Sequence, residues 1–236
     1  VNAAAVPRLL ILETSSRTGQ VALALGDELR GVRRLEEARR HARDLAPATA
    51  ALLAEQGWRP RDLQAVIVSR GPGSYTGLRV GIMSAKAFAY ATGCALLAVD
   101  TFAALALQAP PSVSRLDVLA DAQQDKIYVQ SFIRSTKGWQ PASALAIRRV
   151  ADWLATREPN AWATGPGLSK WASHLPADVP RLDASLWEPQ PASLLYIGLA
   201  RYRAGERDDP WTLEPLYLRP SSAEEQWRGR ASGATD

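Results

Sequence analysis

Residues 70–81, RGPGSYTGLRVG, place four glycines, a proline, a serine and a threonine between an apolar run and a helical one. A loop of this kind can turn its backbone amides onto a phosphate. A strand–loop–helix phosphate site needs G-x-x-x-x-G-K-[ST], the lysine to neutralise terminal phosphates and the hydroxyl to hold magnesium. Gly71 and Gly77 are six positions apart, but Leu78 and Arg79 stand where the lysine and hydroxyl belong. Arg79 lies inside the helix, beyond the cluster of amides. Phosphate hydrolysis is therefore not the expected use of this segment. Other nucleophiles and metal ligands are sparse. Cys94 opens an apolar strand with no histidine near it, and Ser74 suits a helix N-cap with no acid–base pair specified for it. The chain has two histidines, His41 and His174, far apart. A lone histidine with no fixed partner, Asp44 three residues after His41 aside, is a poor metal site, so none is expected.

The helix that follows the glycines carries a different signal. Gly77, Gly81, Ala85 and Ala89 recur every four residues and form a groove of small side chains along one side. Each interior glycine costs about 1 kcal/mol of helix stability relative to alanine, so close approach by a neighbour is the expected return. Ile82, Met83 and Phe88 flank the groove, and Met83 is the chain's only methionine. The expected occupant is a helix of another chain. The alternative is the chain's own helix over residues 43–56.

The elements that hold these residues read as βββαβαβ over the first hundred positions. RLLILE (8–13) is a buried strand ending in a turn, QVALAL (20–25) is a second, and ELRGVRRLE pairs as a meander. Leu45, Ala48, Thr49, Leu52, Leu53 and Gln56 recur with helical spacing, and Gly57 stops that helix. LQAVIVSR is a continuous apolar run suited to a central strand. A helix over 76–92 ends at Gly93, and CALLAVD is the next strand. Strands that first meander and then alternate with helices imply a mixed sheet covered by helices. The Pro-rich stretch QAPPSVSR (108–115) is the expected lobe boundary. It divides a first lobe over 1–107 from a second, smaller lobe over 108–219, and residues 220–236 read as a frayed tail. In the second half, LDVLADA and KIYVQSFIR are strands around the polar turn QQD, and a helix is expected near 192–205.

Bulk properties narrow the class. A chain of 236 residues can bury roughly 70% of its unfolded surface without disulfides. One cysteine suits a reducing compartment, with the cytoplasm as the expected location. No leader with a charged start and long apolar core opens the sequence, and no run approaches the ~20 apolar residues of a membrane span. Lys and Arg exceed Asp and Glu by four (28 against 24), a weak and dispersed excess. No alternation of basic and aromatic residues suits single-stranded RNA.

GPGSYTGLRVG resembles the signature of the TsaB (YeaZ) family, the bacterial tRNA threonylcarbamoyladenosine biosynthesis proteins. ILETSS, HARDLAPATAALL, AVDTFAALA, ADAQQDKIYV and EPLYLR resemble its flanking motifs and occur in the same order. The resemblance implies an α/β fold of the actin/Hsp70/sugar-kinase (ASKHA, ribonuclease H-like) type, with two related lobes, each a mixed sheet flanked by helices. It implies a non-catalytic relative of TsaD, the enzyme that transfers threonylcarbamoyl to adenosine 37 of tRNAs reading codons that begin with A. It also implies heterodimerisation with a TsaD-like subunit through helices of the first lobe. A TsaE-like ATPase would bind the pair, and tRNA would be reached through the complex. The residues expected at the partner interface are Leu45, Leu52, Leu53, Gly77, Leu78, Gly81, Ile82, Ala85 and Ala89.

The same resemblance makes Glu13, Thr14 and Ser15 a degenerate nucleotide loop. The superfamily's D-x-G-T has become ETSS, with a longer carboxylate arm and Ser15 in place of glycine. Gln123 stands where the family usually has arginine. The paired histidines of TsaD are reduced to His41, with Leu45 in the second place. No cofactor or metal is expected. Self-association of the free chain through the same helices is left open, as is direct tRNA contact. The rival expectation is an ATP-dependent small-molecule kinase or ATPase of the same superfamily. A glycopeptidase-like hydrolase lacks the paired histidines it needs.

Overall fold

The computed structural model describes residues 6–35 and 41–218. The expected tail at 220–236 lies outside the described residues.

β1 (Arg8–Glu13), β2 (Gln20–Leu25) and β3 (Glu28–Arg34) form an antiparallel meander, with Leu10 opposite Leu23. β4 (Ala65–Gly71) and β5 (Ala95–Asp100) join it in parallel, giving the order β3-β2-β1-β4-β5. The continuous apolar runs of β1 and β4 follow from their place in the middle of this sheet. Successive side chains point to opposite faces, so both faces must be apolar when both are covered. Leu10, Leu12, Val66 and Val68 face one layer. Leu9, Ile11, Ala65 and Ile67 face the other.

The first layer holds α1 (His41–Glu55) and α2 (Tyr75–Thr92). Ser74 caps α2, its Oγ accepting the Gly77 N–H at 3.2 Å, and Gly93 ends it in the left-handed conformation (φ 75°) that other residues adopt only with strain. The opposite layer holds α3 (Thr101–Leu107), which follows β5 directly, and α6 (Pro191–Arg203).

The second sheet contains β6 (Arg115–Asp121), β7 (Lys126–Ser135), β8 (Gly138–Pro141), β9 (Ala146–Arg149) and β10 (Trp162–Thr164). Its order is β10-β6-β7-β8, and β9 also pairs with β7. Phe102 and Leu105 of α3 meet Val118 and Phe132 on one face. On the other, α4 (Val150–Thr156) and α5 (Leu168–Trp171) pack on Leu119, Ile127 and Val129.

The assignment of all of 108–219 to the second lobe does not match the packing. Leu194, Leu195 and Leu199 of α6 lie on Leu9, Ile11 and Ile67 of the first sheet. The segment after α6 then covers the edge strand β5. Asp208 N–H donates to the Leu96 carbonyl at 2.8 Å, and its carboxylate accepts the Ala98 N–H at 2.6 Å. Covering that edge removes a row of unpaired backbone groups that would otherwise invite another strand.

Candidate functional site

The loop after β1 and the glycine motif after β4 meet at the C-terminal ends of their strands. Glu13, Thr14, Ser15 and Ser16 are all buried. Glu13 Oε1 accepts from the Ser15 backbone N–H at 2.7 Å and from the Ser15 hydroxyl at 2.6 Å. Thr14 N–H donates to Ser69 Oγ at 3.2 Å, and Ser74 N–H donates to the Ser15 carbonyl at 2.7 Å. Glu13 Oε2 and Thr14 Oγ1 are buried without a hydrogen-bond partner. Burial pushes the Glu13 carboxyl up to about 7, the bonds from Ser15 opposing the rise only in part. The nearby Glu188 carboxylate adds to it. The Ser15 amide and hydroxyl are thus committed to Glu13, where a phosphate loop would leave its amides free.

The small-residue stripe is occupied by this same loop. A methyl group built on Gly77 would overlap the Thr14 carbonyl oxygen, and one on Gly81 would overlap Thr14 Oγ1. On Gly73 it would overlap the Ser15 carbonyl. Gly77 and Gly81 are therefore bare so that α2 can lie directly on residues 14–15. Ala85 and Ala89 continue the stripe into the layer under α1.

This corrects the expectation of a partner surface at Leu45, Leu52, Leu53, Gly77, Leu78, Gly81, Ile82, Ala85 and Ala89. All nine are buried within the chain, the three α1 leucines being 2–4% exposed. Such residues are not available for direct contact with another molecule. The groove is filled from within the chain: the loop at residues 14–15 lies over Gly77 and Gly81, and Ala85 and Ala89 pack in the cluster that holds Leu45, Leu52 and Leu53 of the chain's own α1, the alternative occupant.

The outward side of α2 carries Met83, which the sequence reading placed beside the groove, together with residues it did not single out. Met83 is 62% exposed and Tyr90 is 76% exposed, seven residues apart and hence on one face. Trp211, from the segment that covers β5, is 79% exposed and meets Tyr90 edge-on at 6.0 Å. At the other end of the helix, Tyr217 stacks on Tyr75 at 4.8 Å. The Arg79 guanidinium lies 4.2 Å from the Tyr75 ring centre and donates to Tyr217 Oη at 3.1 Å. The available signal was the i, i+7 spacing of Met83 and Tyr90. Trp211 and Tyr217 join them only through the tertiary fold.

Gln123, at the position of the family's arginine, lies in a turn of three successive left-handed residues, Gln123, Gln124 and Asp125 (φ 63°, 49° and 57°). Such a run is costly for residues other than glycine. Lys126 N–H closes the turn on the Gln123 carbonyl at 3.0 Å. Among the described residues, no three His, Cys, Asp or Glu side chains cluster as metal ligands.

Comparison with known proteins agrees with this architecture. The profile of the family described as "TsaD: tRNA N6-adenosine threonylcarbamoyltransferase" matches residues 22–205. The chain is 26% identical over 227 residues to "tRNA threonylcarbamoyladenosine biosynthesis protein TsaB" of Bacillus subtilis, covering 93% of this chain and 97% of that protein. It is 30% identical over 193 residues to an uncharacterized protein of Mycobacterium tuberculosis, covering 82% of each. The crystal structure "YeaZ from Pseudomonas aeruginosa" superposes with a TM-score of 0.74 at 28% identity, covering 90% of this chain and 100% of that one. The two sheets, each flanked by helices, are those of the actin-like two-lobe α/β fold. The chain belongs to the TsaD-type family of threonylcarbamoyltransferase-related proteins and, within it, to the TsaB (YeaZ) group.

Proposed function

We propose that the chain is the non-catalytic subunit of a tRNA threonylcarbamoyladenosine-forming complex and that it acts by heterodimerising with a TsaD-related catalytic subunit. Its relatives' role in tRNA threonylcarbamoyladenosine biosynthesis supports the pathway. The observation that carries the docking is the exposed face formed by Met83 and Tyr90 of α2 and the neighbouring Trp211, which project large side chains into solvent. Aromatic and methionine side chains of this kind are enriched at protein interfaces. The partner would dock on this outer face, while the glycine stripe beneath holds α2 to its own lobe. A TsaE-like ATPase would join the heterodimer, tRNA would bind through the complex, and the cytoplasm is the setting. Among the described residues, no helix is long and apolar enough to cross a membrane.

The rival, an ATP-using kinase, needs the loop after β1 to offer amides and a carboxylate to Mg-ATP. Here Glu13 and Ser15 are bonded to each other under α2, which favours the scaffold reading.

Substituting Met83→Asp with Tyr90→Asp tests the proposal. Titration calorimetry with the TsaD-related subunit of the same cell is expected to show at least a tenfold loss of affinity, with the melting temperature of the lone chain unchanged. Unchanged affinity would remove this docking face.

A further inference from the structure

The second lobe contains a cavity of about 290 Å³ that is separate from the β1 loop and from α2. Its lining includes Asp117 of β6, and Glu13 and Asp117 are the charged side chains in the buried set of the described residues. Asp117 Oδ1 accepts from the Ser131 hydroxyl at 2.6 Å, and Oδ2 accepts from Trp153 Nε1 at 2.8 Å. Both donors are neutral, and no cation of the described residues lies within ion-pair distance. A buried carboxylate without a counter-charge is expensive, so its retention calls for a reason.

Three guanidinium groups line the same cavity, Arg115, Arg148 and Arg157, and the exposed Glu158 adds a second carboxylate to the lining. None of them pairs with a carboxylate among the described residues. Arg148 donates to the Thr156 hydroxyl at 3.2 Å. Arg157 donates to the carbonyls of Pro159 and Ala161 at 3.1 and 2.8 Å, while its Nε is buried with no acceptor. Val129 and Phe132 supply apolar wall between the charges.

The two kinds of charge select a ligand class. A plain anion would be attracted by the arginines and repelled by Asp117, and a plain cation the reverse. A molecule that carries both an ammonium group and a carboxylate satisfies both. Each Asp117 oxygen keeps a lone pair after its one hydrogen bond, enough to accept from an ammonium. Guanidinium groups bind carboxylates in paired, charge-assisted bonds. The volume, at the small end of ligand sites, suits a single small residue and not a nucleotide. We propose that this cavity binds a free small L-α-amino acid, the ammonium on Asp117 and the carboxylate on the arginines.

The test is titration calorimetry of the full chain with L-alanine and L-valine, and with valine's half-molecules isobutylamine and isovalerate. Saturable binding of at least one amino acid is expected, with both half-molecules at least tenfold weaker. The double variant Arg115→Ala/Arg148→Ala, altered only at exposed side chains, is expected to lose at least tenfold in affinity while keeping its melting curve. Asp117→Asn, which keeps an oxygen for the Trp153 indole N–H and turns its NH2 to the Ser131 hydroxyl as a donor, is expected to lose a similar factor. No saturable heat from either amino acid up to about 10 mM would overturn the proposal. Isovalerate binding as tightly as L-valine, or a double variant with wild-type affinity, would overturn it too.

Discussion

Gly77 and Gly81 sit one turn apart on the same stripe, yet the atoms above them differ in how far they can yield. A side chain at Gly77 would meet the carbonyl oxygen of Thr14, part of a backbone held by the Thr14–Ser69 and Ser74–Ser15 bonds. At Gly81 it would meet the Thr14 hydroxyl, which makes no hydrogen bond. Alanine gains about 1 kcal/mol in helix propensity at either site. Overpacking costs about 1–3 kcal/mol, more where backbone must move. Urea denaturation is therefore expected to show Gly77→Ala destabilised by about 2 kcal/mol and Gly81→Ala by less. Thr14→Ala should make Gly81→Ala tolerated and leave the Gly77→Ala cost in place. Equal costs for the two glycines, or no rescue, would contradict the packing. Glu13 gives a second prediction at this scale. Its carboxyl is raised from the ordinary value of 4.5 to about 7 by burial, so between those limits the folded chain holds a proton that the unfolded chain has released. The stabilisation is fully present below about pH 4.5 and falls as pH rises, by on the order of 3 kcal/mol in total by pH 8. Glu13→Gln keeps an acceptor for Ser15 and carries no charge. It is expected to remove this slope and to be more stable than the parent at pH 8, as read from thermal melts across that range.

The elements themselves were largely legible. Period-two and unbroken apolar runs separate β1, β2 and β4 from the helical spacing of Leu45, Leu52 and Leu53, and Ser74 and Gly93 mark both ends of α2. The direction in which α2 faces its neighbours was not. A row of small residues gives an angular position on a helix, and it reads the same whether a partner helix or the chain's own loop lies above it. The loop that fills the groove begins more than sixty residues earlier, and no local pattern links Thr14 to Gly81. The return of α6 to the first sheet was hidden for the same reason, because its partners Leu9 and Ile67 are remote in sequence. The inner and outer faces of this layer now make opposite predictions. Leu52→Asp would place a charge among Leu10, Leu23 and Ile82 and lower stability by several kcal/mol, whereas Tyr90→Asp on the outer face alters only association.

At the scale of the whole molecule, the two sheets are joined by a short chain of polar bonds around residues 186–190. Gln108, just after α3, donates from its amide nitrogen to the carbonyls of Leu186 and Glu188 at 3.1 and 3.0 Å. Its amide oxygen accepts the Gln190 N–H at 2.8 Å, at the start of α6. Gln20 of β2 donates to the Pro189 carbonyl at 3.0 Å, and Thr164 of β10 donates to the Leu186 carbonyl at 3.2 Å. One segment is thereby tied to both sheets, and Gln108 makes three of the bonds with a single planar group. Gln108→Leu keeps the approximate volume and removes these three bonds together with the longer one that the Ser193 hydroxyl donates to the Gln108 amide oxygen at 3.4 Å. Each partner left unsatisfied costs on the order of 1 kcal/mol, so denaturation should show a loss of about 2–3 kcal/mol. The distribution of the effect identifies its origin. Exchange of the Gln190 amide is expected to speed up well beyond the global change, whereas amides in the centre of β1 and β4 should follow global stability alone. Uniform acceleration across both sheets would mean that Gln108 supports general packing and does not join the lobes.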